Sequence, residues 1–146
     1  MKLALFALAA VPVFAQGQTS SAVFDWAKLE VTKTATGERR SIVDRPTPTM
    51  TRFESHVTTL EAGLVPHAAH RHPDEEIVIV KEGTLEVTIN GKTQRAGQGS
   101  MFLFASNEMH GMKNVGEGRA TYFVIRVATA ATPAVGKEQL LHHEID

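Results

Sequence analysis

The chain has 146 residues, enough for one domain built around one core and too few for two. Its 15 basic and 16 acidic residues leave a formal net charge of -1, so it carries no electrostatic footprint for nucleic acid or an anionic lipid surface, and no nucleic-acid partner is expected. At 42% hydrophobic and 21% charged it has the composition of a folding domain, and with no cysteine it excludes disulfides, thiolate metal sites and a lipidated thiol.

Residues 1–15 read as a signal peptide. Lys2 precedes an apolar stretch from Leu3 to Ala15 broken only by Pro12, and Val13-Phe14-Ala15 places small residues where a signal peptidase cuts. The run falls short of the roughly 20 residues that span hydrocarbon as a helix. A periplasmic or secreted protein follows, with no membrane attachment after cleavage. Residues 16–50 read as an N-terminal arm. Gln16 to Ser21 is polar and structureless, Phe24-Asp25-Trp26 brings the first apolar anchors, and Leu29 to Thr32 predicts a short strand. Thr34 to Arg40 predicts a turn around Gly37. Pro46 and Pro48 lack the N–H that a sheet ladder needs, which makes Asp44 to Thr49 irregular or an edge.

From Thr51 the pattern is persistently β, with runs Phe53 to Leu60, Glu76 to Val80, Leu85 to Ile89, Met101 to Phe104 and Ala120 to Val127 rich in β-branched and aromatic residues. Asn90-Gly91 between two such segments is a type I′ hairpin signal. Short strands at roughly 8–12 residue spacing indicate an all-β sandwich or barrel. Residues 129–146 read as a C-terminal tail with a short helix over Val135 to His142.

One short segment concentrates the chemistry. His70 and His72 are two apart, so on a strand both imidazoles project the same way, and Glu76 follows just past the Pro73-Asp74 turn. Neutral imidazole nitrogens and a carboxylate oxygen converging from rigid elements make a cation site, with His110 the candidate fourth donor. If Glu76 faces inward, so do Val78 and Val80. Ile77 and Ile79 then face outward, under the N-terminal arm or a second subunit. His67 is an odd number of residues from His70 and reads as a group at the pocket mouth or behind the ligands. Met112 shares the parity of His110 and, with Val78, is a pocket candidate. Three histidines and one carboxylate on an octahedral ion leave two positions open for a small oxygen-bearing molecule or dioxygen. The donor set suits Fe, Mn, Ni, Cu or Zn and does not choose among them. Outside it no general base stands out from the sequence; Glu54, His56 and His67 are the candidates.

These residues resemble the two sequence motifs of the cupin superfamily. His70-Arg71-His72, three residues, Glu76, six residues and Gly83 reproduce the first from its histidines on, with Gly63 one residue farther upstream than usual. Gly99, His110 and Asn114 keep the spacing of the second, although Ala105 and Asn107 stand where its proline and glycine would be. The resemblance implies an all-β, single-domain double-stranded β-helix (a jelly-roll barrel) over residues 51–128. It implies one divalent transition metal held by His70, His72, Glu76 and His110, and a homodimer. The function expected from it is metal-dependent chemistry on a small oxygen-bearing molecule, with a dioxygenase as the leading expectation; a non-catalytic binding module and a Lewis-acid isomerase or hydrolase are the alternatives.

Overall fold

The computed structural model describes residues 17–134, and the predicted signal peptide (1–15) and C-terminal helix (Val135 to His142) lie outside them. Nine strands follow in chain order: β1 Thr32–Thr34, β2 Gly37–Arg45, β3 Arg52–Leu60, β4 Glu75–Glu82, β5 Thr84–Ile89, β6 Lys92–Gly97, β7 Met101–Phe104, β8 His110–Asn114 and β9 Ala120–Ala128. All pair antiparallel, in one sheet of order β1-β2-β3-β9-β4-β7 and a second of order β6-β5-β8. No α-helix occurs among the described residues. The β5–β6 hairpin turns at Asn90 (φ 48°) and Gly91 (φ 80°), the left-handed pair that a type I′ turn requires.

The core lies between the sheets. Leu60, Val78, Val80, Leu85, Val87, Phe104, Met112, Ala120, Tyr122 and Val124 form one buried cluster. On β4, Glu76, Val78 and Val80 are buried, while Ile77 is partly covered and Ile79 exposed, the alternation the sequence predicts. Fully burying an aliphatic side chain of this size contributes about 1.5–3 kcal/mol, so the inward row fixes the register. The outer face is covered unevenly. Val57 is sealed, and the Trp26 ring lies 6.2 Å from that of Phe123 with Arg40 and Lys81 each 4.8 Å from its centroid. Over β4 and β7 the same face stays open: Ile79 is 37% exposed, Leu103 51% and Met101 66%.

The N-terminal region differs from its sequence reading. Gly37 opens strand β2, not a turn, because it packs against the neighbouring strand: a Cβ there would sit 2.0 Å from the Thr59 carbonyl oxygen, and φ is +152°. Residues 32–45 therefore extend the six-stranded sheet, and the barrel begins well before residue 51. The strand predicted at Leu29 to Thr32 is replaced by a 3-10 turn at Trp26–Lys28, which the Asp25 carboxylate caps by accepting from the Ala27 N–H at 3.0 Å, and β1 starts at Thr32.

Candidate metal centre

Three imidazoles meet at one end of the barrel. Ring centroids are 5.3 Å apart for His70 and His72, 4.7 Å for His70 and His110, and 4.9 Å for His72 and His110. One potential ligand nitrogen from each lies within 4.8 Å of the other two. His70 and His72 do not converge as alternate residues of a strand. Residues 61–69 form no strand, and His70 is tied to His110 by an isolated bridge in which each backbone N–H donates to the other's carbonyl at 2.9 Å. That bridge sets the two motifs side by side. Pro73 and Asp74 then turn the chain so that His72 enters from beside β4. Asn107 takes φ +62° before β8, the left-handed turn where the family pattern has glycine. Asn114, fully buried, donates to the Leu60 and Gly118 carbonyls at 3.0 and 2.8 Å and accepts from the Gly116 N–H, anchoring the end of β8.

Hydrogen bonds fix the rings. Nδ1 of His72 donates to the Asp74 carbonyl at 3.0 Å and Nδ1 of His110 to the Glu108 carbonyl at 2.8 Å, leaving each Nε2 turned inward. Phe104 stacks on His110 with centroids 4.0 Å apart and planes 10° from parallel. Nδ1 of His70 and Nε2 of His110 are buried with no hydrogen-bond partner. An unsatisfied buried nitrogen costs about 1–3 kcal/mol, and two of them facing one centre fit a divalent cation, which both lone pairs would bind. Glu76 meets the centre through His72, its Oε2 lying 3.1 Å from His72 Nε2.

Burial favours the neutral, metal-ready form of His70 and His110. Burial, reinforced by the neighbouring imidazoles, pushes His70 down from 6.5 to about 4. Burial also lowers His110, against the pull of the Glu108 carbonyl. For Glu76 burial acts upward, but the hydrogen bond from His72, the imidazole charges and Arg126 outweigh it and leave the carboxyl below its ordinary value.

His67 lies at the rim. It is exposed, its ring edge meets His70 at 4.4 Å, and its Nδ1 bonds the carbonyl of Ala68. The strand parity that would place it on the opposite face does not apply in a loop. Met112 and Val78 face the interior and belong to the core cluster. Arg126 and Arg52 are not singled out by the sequence reading, and Asp74 only as a turn residue. Arg126 lies directly opposite Glu76 on one side and Glu54 on the other; it pairs with Asp74 at 3.0 Å, and its Nε is 3.9 Å from Glu76 Oε2. Asp74 also holds Arg52 at 3.1 Å, and Arg52 in turn grips Asp44. Glu54 and His56 share the inward face of β3 with Thr58 and Leu60, a parity readable from Leu60 once it is known to be core. A cleft of about 440 Å³ between the β5–β6 hairpin and β7, lined among others by Val87, Ile89, Arg95 and Phe102, includes none of the histidines. Donor chemistry, not volume, marks the site.

Residues 56–126 match the family described as Cupin domain. No curated protein matches the chain in sequence. Among solved structures, an RmlC-like cupin from Shewanella frigidimarina aligns with TM-score 0.64 and 15% identity over 79% of this chain and 97% of its own. A predicted oxalate decarboxylase from Thermotoga maritima aligns with TM-score 0.61 and 17% identity, covering 73% and 99% of the two chains. A sugar phosphate isomerase of the cupin superfamily from Silicibacter pomeroyi gives TM-score 0.59 and 20% identity over 74% and 76%. At these identities the likeness is one of fold.

Proposed function

Because this chain belongs to the cupin superfamily, we propose that it is an exported metal-dependent enzyme acting on a small oxygen-bearing organic molecule, with oxygenation of that molecule as its reaction. One observation carries this reading: three histidines converge on a buried centre where two ring nitrogens have no partner. His70, His72 and His110 would hold a divalent transition metal, with Glu76 as the fourth donor. When bound, the ion would supply Lewis acidity and, if redox-active, a seat for dioxygen at its two open positions. Phe104, Val78 and Met112 wall the inner side with apolar surface and keep water from the reacting group.

A Lewis-acid isomerase or hydrolase is the second reading, favoured by the Glu54–His56 pair inside the barrel, since such chemistry needs a base beyond the metal ligands. Oxygen consumption by iron-loaded protein on a panel of diols and diketones supports oxygenation. Turnover without oxygen supports the second reading, and tight binding without turnover reduces the protein to a binding module. We also propose a homodimer that covers the open outer face at Ile79, Leu103 and Met101. A monomer by light scattering at micromolar concentration would count against it, and N-terminal sequencing of secreted material tests export.

A further inference from the structure

His56 and Glu54 stand together inside the barrel and have no part in the metal centre. Both lie on the inward face of β3, in rows that run across the sheet: Glu54, Arg126, Glu76 and Phe104 in one, His56, Val124, Val78 and Phe102 in the next. His56 Nδ1 is 2.6 Å from Glu54 Oε1, which also accepts from Arg39 Nη2 at 3.0 Å. A carboxylate only accepts, so the imidazole proton sits on Nδ1 and the other ring nitrogen is left with its lone pair. Nε2 makes no hydrogen bond among the described residues, and the side chain remains 12% exposed, whereas Glu54 is 4% exposed with its Oε2 buried and unpartnered. This is a base oriented and electrostatically backed by a third group, the arrangement that proton transfer requires. β3 and β4 are two strand spacings apart, about 10 Å between backbones, and inward side chains shorten that gap to the reach of a small molecule.

We infer that His56 is the proton-transfer residue of this site, with Glu54 its positioning residue, and that the ligand is a small α-hydroxy- or α-keto-carbonyl compound with an acidic C–H. The inference rests on the metal site proposed above and deepens its second, Lewis-acid reading. Two adjacent oxygens would suit a metal held by His70, His72, Glu76 and His110, and the carbon beside them carries the proton that His56 Nε2 removes. The C–H electron pair becomes a C=C bond as the carbonyl π pair moves onto oxygen, and the imidazolium formed is offset by the Glu54 carboxylate. When the hydroxyl proton of the enediolate passes to the other oxygen and the abstracted proton returns to the former carbonyl carbon, an isomerisation is complete; returning a solvent deuteron to the original carbon washes out the label. No oxidant or reductant is consumed.

The test uses metal-loaded full-length protein in deuterated water with pyruvate, glycolaldehyde and dihydroxyacetone, following loss of C–H signal by proton NMR. Wash-out from at least one probe is expected, slowed about 100-fold or more in His56→Gln with metal content unchanged. In Glu54→Gln the rate falls and the acid limb of its pH profile, which reports protonation of the base, shifts. Wash-out from none of the probes, or an undiminished rate in a metal-replete His56→Gln protein, overturns the inference. A second arm needs no metal and separates failure of the dyad from failure of the metal reading. Long-range proton–nitrogen spectra of the metal-free protein should show His56 as the Nδ1–H tautomer with a bare Nε2; the opposite tautomer refutes the assignment.

Discussion

Phe104 lies flat against His110, with ring centroids 4.0 Å apart and planes 10° from parallel. The contact makes a fully buried core residue part of the candidate metal centre, because the ring that fills the barrel also fixes the plane of the His110 imidazole. Truncation therefore has two consequences. Phe104→Ala should cost about 3–5 kcal/mol of stability through the cavity it opens, measurable by denaturant unfolding. Phe104→Leu keeps most of the volume but releases the imidazole, and metal affinity by calorimetry should fall about 10-fold with a smaller loss of stability.

His72 is held from both sides, by the Asp74 carbonyl at Nδ1 and by Glu76 at Nε2. A metal ion would take the place of the second contact. His72→Ala removes one donor and leaves Glu76 buried without its hydrogen-bond partner, so stoichiometric metal should be absent from the purified variant by elemental analysis. Full retention of metal would move His72 out of the ligand set.

The barrel strands were legible because each carries its own local signal. β4 alternates Glu76, Val78 and Val80 inward against Ile77 and Ile79 outward, and Asn90-Gly91 specifies its hairpin by dihedral angle alone. The clustered histidines were legible through spacing, yet the geometry behind that spacing was not. His70 and His72 converge through a bridge to His110, a contact forty residues away in sequence that no local periodicity encodes. β2 was hidden for a related reason: Gly37 reads as a turn until Thr59 is placed against it. His56 and Glu54 were visible as possible bases, but their pairing on one face of β3 was not until the strand's inward parity was known.

The lowered His70 sets a pH dependence. In the unfolded chain the imidazole takes its proton near 6.5, whereas in the folded protein burial defers it to about 4. Between these values the unfolded state binds more protons, so the stability of the metal-free protein should fall as pH drops from 6.5 toward 4 and level off below, as far as this group is concerned. His110 contributes in the same direction. Thermal melts across that window check it, and His70→Asn should flatten the slope. An unchanged slope in the variant would assign the dependence elsewhere.

Asp74 joins the centre to the surface. It is 8% exposed and its Oδ2 takes Arg126 at 3.0 Å and Arg52 at 3.1 Å, while its own backbone carbonyl holds His72. Side chain and backbone thus do separable work. Asp74→Asn keeps the carbonyl and the volume but withdraws the charge that Arg126 faces on its side away from Glu76. With Arg126 only partly paired, stability should drop by about 1–3 kcal/mol, read from chemical denaturation. The His72 ring, still held by the same carbonyl, should keep metal stoichiometry unchanged. Loss of metal together with stability would mean that the carboxylate, acting through Arg126 on Glu76, positions the fourth donor, and Arg126→Leu would then reproduce the same loss.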